Sequence, residues 1–214
     1  MSLVDPDNSQ RLQYSICISG AHNGTTVDAD KQLAERLGAS IAKHGHILTT
    51  GATVGLPYFA AKGAKDAGGT SIGFSPASSV REHIRKYRLP RRYFDFVNYT
   101  GLDYVGRDTF LIQSSDAVIT VGGGFGSLHE FVTALEAYKP VGVLTNSGGA
   151  ADIIPSLMKV LQPPRDHLII YDDNPENLMA RMVALLDKEF ADVNKELKRN
   201  SFWFLEDHKK KEAH

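Results

Sequence analysis

Apolar positions recur along this chain in two alternating rhythms. Short β-branched or aliphatic runs, bounded by glycine or polar residues, predict strands at 14–19, 46–50, 70–74, 118–121, 141–145 and 167–171, with a short extra strand at 96–99. Between them, apolar residues spaced three and four apart predict helices. The first covers 28–44, with Leu33, Leu37 and Ile41 on one face and Gly45 just past its end. Others cover 56–67 (stopped by Gly68 and Gly69), 102–114, a segment from Leu128 to about 138, 152–161 and 175–198. Residues 1–12 read as a loose arm and 78–92 as an irregular, basic stretch.

Alternating strands and helices imply an α/β fold: a doubly wound, mostly parallel sheet with helices on both faces, Rossmann-like. In that order the first strand neighbours the first strand of the second half, here 118–121. Ligands bind at the carboxyl ends of those two strands, where the winding reverses. The loop Gly20-Ala21-His22 is therefore expected beside the loop that follows Val121. No repeat or linker divides the chain, so one domain is expected over 13–205 with a charged tail at 206–214. Phe202-Trp203-Phe204-Leu205 is apolar enough to dock on the body or on a partner chain.

The densest chemistry lies in Val118-Ile119-Thr120-Val121-Gly122-Gly123-Gly124-Phe125-Gly126-Ser127-Leu128-His129-Glu130. A strand empties into glycines and then opens into a helix. Glycine lets the main chain approach a ligand closely, and the unpaired N–H groups at a helix start favour an anion, most often phosphate. Gly122, Gly123, Gly124, Phe125, Gly126 and Ser127 are thus candidate phosphate-binding residues, with the carboxylate of Glu130 one turn along.

Composition narrows the ligand. A length of 214 residues with 42% hydrophobic content supports a full core, and a net charge of -1 gives no electrostatic reason to expect nucleic acid or an anionic membrane as partner. The single cysteine, Cys17, lies in an apolar run and reads as a small core residue, which suits a reducing compartment. The polar N-terminus has no signal-peptide core and no apolar run approaches the ~18 residues of a spanning helix, so a cytoplasmic location is expected. The glycines do not spell G-x-G-x-x-G, and the second strand ends in Thr49-Thr50-Gly51 with no acidic residue for a ribose, so a dinucleotide is disfavoured. No P-loop is present either. A mononucleotide or sugar phosphate remains.

The segment Gly122-Gly123-Gly124-Phe125-Gly126-Ser127-Leu128-His129-Glu130 resembles the P-G-G-x-G-T-x-x-E signature of the Lonely Guy family. These are cytokinin-activating phosphoribohydrolases, often labelled lysine decarboxylases. The family's arginine on the preceding helix is matched by Arg107 in Tyr104-Val105-Gly106-Arg107-Asp108, and its second glycine turn by Thr50-Gly51-Ala52-Thr53-Val54-Gly55-Leu56. The likeness spans roughly residues 14–145. Gly122 replaces the signature proline, Ser127 the threonine, and Asp108 stands where lysine or asparagine is usual. The pattern is closer to the wider Lonely-Guy-like group, which includes molybdenum-cofactor carrier proteins and nucleotide-sensing domains that need not hydrolyse anything.

The resemblance implies Arg107 and Glu130 as the catalytic residues, with Gly20, Ala21, His22, Thr50 and Gly51 joining the glycine loop around the ligand. Each residue also has a plainer explanation. Ser127-x-x-Glu130 has capping-box spacing, worth roughly 1 kcal/mol, and spacing alone favours the cap. Arg107 is placed to pair with Asp103 one turn back. The glycines also suit close helix–strand packing, and His22 suits an ordinary polar loop. The basic run Arg81, Arg85, Lys86, Arg88, Arg91, Arg92 is by default a solvated face, although it follows the third strand at the same sheet edge as the pocket.

The leading expectation is a phosphoribohydrolase that splits a nucleoside 5′-monophosphate into free base and ribose 5-phosphate. The alternative is a non-catalytic carrier of a nucleotide or a phosphate-bearing cofactor of the molybdopterin type, and a dehydrogenase is a distant third. No cofactor is expected and no metal, since no His, Cys, Asp or Glu set has ligand spacing. A homo-oligomer is implied by the resemblance.

Overall fold

The computed structural model describes residues 12–199. They fall into two compact units, 13–186 and a second that holds Leu12 together with 187–199. The first carries a single seven-stranded parallel sheet. Its strands are β1 (Ser15–Gly20), β2 (Ile47–Thr50), β3 (Thr70–Ser75), β4 (Phe96–Tyr99), β5 (Ala117–Val121), β6 (Val141–Leu144) and β7 (Ile169–Asp172). The spatial order β4-β3-β2-β1-β5-β6-β7 reverses its winding between β1 and β5. Both the doubly wound class and the neighbouring of the first strand with the 118–121 run stand as expected. Parallel strands covered on both faces read as unbroken apolar runs, and every residue of β5 is buried.

Helices α1 (Thr25–Lys43), α2 (Leu56–Asp66), α3 (Val80–Arg85), α4 (Asp103–Gln113), α5 (Phe125–Glu136) and α6 (Gly149–Leu161) connect the strands, and α7 (Pro175–Glu189) follows the last of them. In the second unit, α8 (Ala191–Arg199) accompanies a bond from the Leu12 N–H to Asn194 Oδ1 at 3.4 Å. The core of the sheet unit gathers Phe131, Leu111, Ile112, Val118, Val143 and Ile154, and Cys17 is a fully buried member of it. The segment 202–205 and the tail lie outside the described residues.

Several element boundaries differ from the sequence expectation, and the reasons are physical. α1, α5 and α6 begin three residues earlier than the apolar spacing predicts, at Thr25, Phe125 and Gly149. Each is entered from a glycine N-cap, Gly24, Gly124 or Gly148, with no side-chain cap to mark it. The stretch 78–92, expected to be irregular, contains α3 because Ser79 is its N-cap and its side chain accepts from the Glu82 N–H at 3.2 Å. Glu82 reaches back to accept from the N–H and hydroxyl of Ser78, both at 2.7 Å. The expected terminal helix at 175–198 is instead two helices, α7 and α8, and the 167–171 strand begins at Ile169 after a 3₁₀ turn over Asp166–Leu168.

The seat of α2 against α1 depends on two glycines. A Cβ at Gly38 would lie 1.9 Å from the carbonyl oxygen of Ala60, and one at Gly63 would lie 1.9 Å from that of Glu35. The two helix backbones touch there, and backbone cannot move aside as a flexible side chain can. Gly38→Ala is therefore expected to destabilise the sheet unit by about 2–3 kcal/mol, lowering Tm by about 5–10 °C in a thermal melt.

Candidate functional site

The carboxyl ends of β1 and β5 open into a cleft of about 380 Å³. Of the residues singled out in the sequence, Gly20, His22, Gly51, Arg107, Gly124, Phe125, Gly126, Ser127 and Glu130 line it. Ala21, Thr50, Gly122 and Gly123 do not line it; they build its frame. The Ala21 N–H donates to Val121 at 3.3 Å and its carbonyl accepts from the Leu56 N–H at 2.8 Å. Thr50 Oγ1 accepts from the N–H of Ala52, which sits in the left-handed region at φ 53°.

The glycine run divides into two jobs. Gly122 and Gly123 have φ of 57° and 91°, and a Cβ on either would collide, with the Ser147 carbonyl at 2.8 Å or with Ser127 Oγ at 2.2 Å. Their carbonyls accept from the N–H groups of Ala151 at 3.1 Å and Ala150 at 2.8 Å, pinning the loop to the start of α6. Gly124 and Gly126 instead face open space, since a Cβ on either would meet nothing within 4 Å. They border the hollow where a ligand would lie. Leu128 is the first residue of α5 whose N–H finds a carbonyl, that of Gly124 at 2.9 Å. The N–H groups of Phe125, Gly126 and Ser127 are thus the free donors of a helix start, with the positive end of its dipole behind them.

The capping box that the Ser127–Glu130 spacing allows is absent, because the N-cap is Gly124 and makes no side-chain cap bond. Glu130 turns inward instead and its Oε2 accepts a short hydrogen bond from Ser19 Oγ on β1. The alternative pairing of Arg107 with Asp103 is also absent. Asp103 accepts from the Tyr87 hydroxyl, while Arg107 Nη1 donates to the Phe74 carbonyl at 2.8 Å and Arg107 Nε lies 3.0 Å from Asp108 Oδ1. Gly51 makes room for this, since a Cβ there would lie 1.9 Å from Arg107 Nη1. Arg107 is buried, yet its Nη2 has no protein partner among the described residues and the side chain borders the cleft.

At the floor of the cleft two carboxyl groups meet. Burial, then the adjacent charge of Asp108, pushes Glu130 up to about 7, against the pull of Arg107 and Ser19. Burial likewise pushes the Cys17 thiol well up, so Cys17 stays an uncharged core group. Asp108 Oδ2 lies 3.1 Å from His129 Nδ1. Sequence reasoning missed Ser19, and it noted Asp108 only as a departure from a motif. It also missed the apolar wall of Val54, Pro57, Leu89 and Tyr104. Leu89 belongs to the basic segment, whose Arg81, Arg85, Arg88, Arg91 and Arg92 are exposed, and it lines the cleft while those arginines do not. No group of three or more His, Cys, Asp or Glu able to hold a metal occurs among the described residues, and none of their helices is long and apolar enough to cross a membrane.

Fold and cleft together define a Rossmann-like α/β protein with an uncapped helix start at its switch point and a buried carboxyl pair beneath it. The chain belongs to the SLOG cluster4 family, a Lonely-Guy-like group whose model matches residues 13–179. An uncharacterised protein of Archaeoglobus fulgidus is 35% identical over 113 residues, 53% of this chain and 69% of its own. The molybdenum cofactor binding protein of Rippkaea orientalis is 28% identical with a TM-score of 0.68, over 83% of this chain and 99% of its own. The Moco carrier protein of Chlamydomonas reinhardtii is 31% identical, also with a TM-score of 0.68 and the same coverage.

A carboxyl raised to about 7 holds its proton more tightly in the folded than in the unfolded chain, where its ordinary value is 4.5. Its favourable contribution is complete below that ordinary value and is lost as pH rises through about 7, a change of about 3 kcal/mol. Glu130→Gln, neutral throughout, should escape this loss. Urea unfolding at pH 5 and pH 8 should show wild type losing about 3 kcal/mol relative to the variant. Equal pH dependence in the two proteins would contradict the burial argument.

Proposed function

We propose that the cleft binds a nucleoside 5′-monophosphate and hydrolyses its N-glycosidic bond, releasing free base and ribose 5-phosphate. One observation carries this reading: a carboxyl group pushed up to about 7 by burial and by the nearby Asp108 stands one helical turn from the uncapped start of α5. A carboxyl group raised by its surroundings and a second carboxyl group beside it are the usual equipment for breaking a glycosidic bond. A vessel that only held its cargo would gain nothing from carrying a desolvated acid at its floor.

In this scheme the N–H groups of Phe125, Gly126 and Ser127 hold the phosphate, and Arg107 Nη2 adds a charged donor. Glu130 gives its proton to the departing base as the C1′–N bond breaks. The resulting carboxylate faces the electron-poor sugar and orients water, whose oxygen bonds to C1′ while one of its protons restores Glu130. The apolar wall of Val54, Leu89 and Tyr104 is suited to the flat face of a base.

A second reading is favoured by the likeness to the molybdenum cofactor binding and carrier proteins: a non-catalytic holder of a phosphate-bearing cofactor or nucleotide. Chromatography of free base after incubation with AMP, CMP, GMP and N6-modified AMP separates the two. Hydrolysis is expected with at least one of them, and Glu130→Gln should slow it by about 10²–10⁴-fold while still binding the nucleotide. Tight binding with no base released would rule out the hydrolase and leave the holder.

The same family reading carries a cytoplasmic homo-oligomer. Light scattering on the full chain should return at least a dimer, and a monomer would remove that part of the proposal.

A further inference from the structure

Glu130 and Asp108 are buried, at 9% and 6% exposure, and so is Arg107 at 4%. His129 differs, with 44% of its side chain exposed, and it is the member of this cluster that meets solvent. Its Nδ1 lies 3.1 Å from Asp108 Oδ2. A carboxylate only accepts, so whenever the imidazole is neutral this contact places its proton on Nδ1 and leaves Nε2 as the ring's basic site.

The other oxygen of Asp108 is a buried acceptor with no hydrogen bond of its own. It lies 3.0 Å from Arg107 Nε, but neither atom is aligned to bond the other. Asp108 and Glu130 line the same cleft, and Asp108 is near enough to help raise the proton affinity of Glu130. The groups facing Asp108 are therefore Arg107 on its own helix and His129 and Glu130 on α5, with the Cys17 thiol of β1 behind the pair. Arg107 keeps its proton at all relevant pH values and cannot pass one on. His129 can.

We propose that His129 is the positioning residue of a proton path in which Asp108 joins the solvent to Glu130. A proton enters at His129 Nε2 as the Nδ1 proton moves to Asp108 Oδ2, and Asp108 yields a proton to the ionised Glu130. The imidazole stays neutral overall and regains its first tautomer by exchange with water. This role rests on the reading of Glu130 as the acid of the cleft: the attacking water restores the proton within a turnover, and the path brings Glu130 of the ligand-free protein to equilibrium with solvent.

The test follows the proton in the ligand-free protein, so it does not depend on hydrolysis. Glutamate side chains are labelled with ¹³C, and the Glu130 carboxyl resonance is identified by its loss in Glu130→Gln. Relaxation dispersion at its titration midpoint then gives the rate of proton exchange. His129→Ala and His129→Gln should both slow that exchange about tenfold or more, and added imidazole should restore it in His129→Ala. Gln keeps a donor for Asp108 but cannot relay a proton, so normal exchange in His129→Gln would show that His129 is only a hydrogen-bond donor and overturn the path. Unchanged exchange in both variants, or no recovery with imidazole, would overturn it too. Base release is assayed on the same samples: slowed exchange in the variants with no hydrolysis in wild type sinks the hydrolase and leaves the path standing.

Discussion

The contact between β1 and β5 is the constraint on which the rest of this molecule depends. The two strands run parallel with Gly20 level with Val121, so their loops leave the sheet side by side and turn to opposite faces. Parallel pairing that close needs glycine at the rim: a Cβ on Gly20 would sit 2.7 Å from the Val121 carbonyl. Because the winding reverses at this pair, no helix crosses over the gap, and the chain must leave a crevice there. The uncapped start of α5, the Arg107 fork and the Glu130 carboxyl are all arranged around that unavoidable opening.

Much of this arrangement was legible in the sequence. The strands were, since a parallel strand buried on both faces must be an unbroken apolar run such as Val118 to Val121, and two such runs flanking a reversal locate the crevice without any motif. The loop glycines were legible as a group. Their division of labour was not, because only the fold shows that Gly122 and Gly123 meet backbone and side chain while Gly124 and Gly126 face empty space. Helix starts were the least legible. Glycine N-caps at Gly24, Gly55, Gly124 and Gly148 have no side chain to announce them, so the spacing of apolar residues understated α1, α5 and α6.

The same tetrapeptide pattern had opposite fates at two places. Ser79-x-x-Glu82 lies on an exposed helix, where the Ser79 hydroxyl satisfies the Glu82 N–H and Glu82 reaches back to Ser78. Ser127-x-x-Glu130 lies one turn inside α5, so the serine is too late to cap and the glutamate points into the sheet, toward Ser19. A local rule depends on where the helix begins, and here that was set by glycines three residues earlier. The partners that matter to Glu130 and Asp108 come from Ser19 on β1 and His129 on α5, brought together by the fold across long stretches of chain.

A helix start that leaves its donors uncapped, and a carboxyl that gives up water for a hydroxyl and a like-charged neighbour, both run against what stability alone would select. Hydrophobic burial elsewhere, in a sheet whose β5 is wholly enclosed, is large enough to carry that cost. Such local conflicts, concentrated in one cleft while strand pattern, register and helix packing agree everywhere around it, are what a site for chemistry looks like in physical terms. Burial and the nearby charge of Asp108 raise the hold of Glu130 on its proton, against the pull of Arg107 and Ser19. The fold thereby holds a carboxyl group with raised proton affinity at the floor of the cleft, beside an apolar wall.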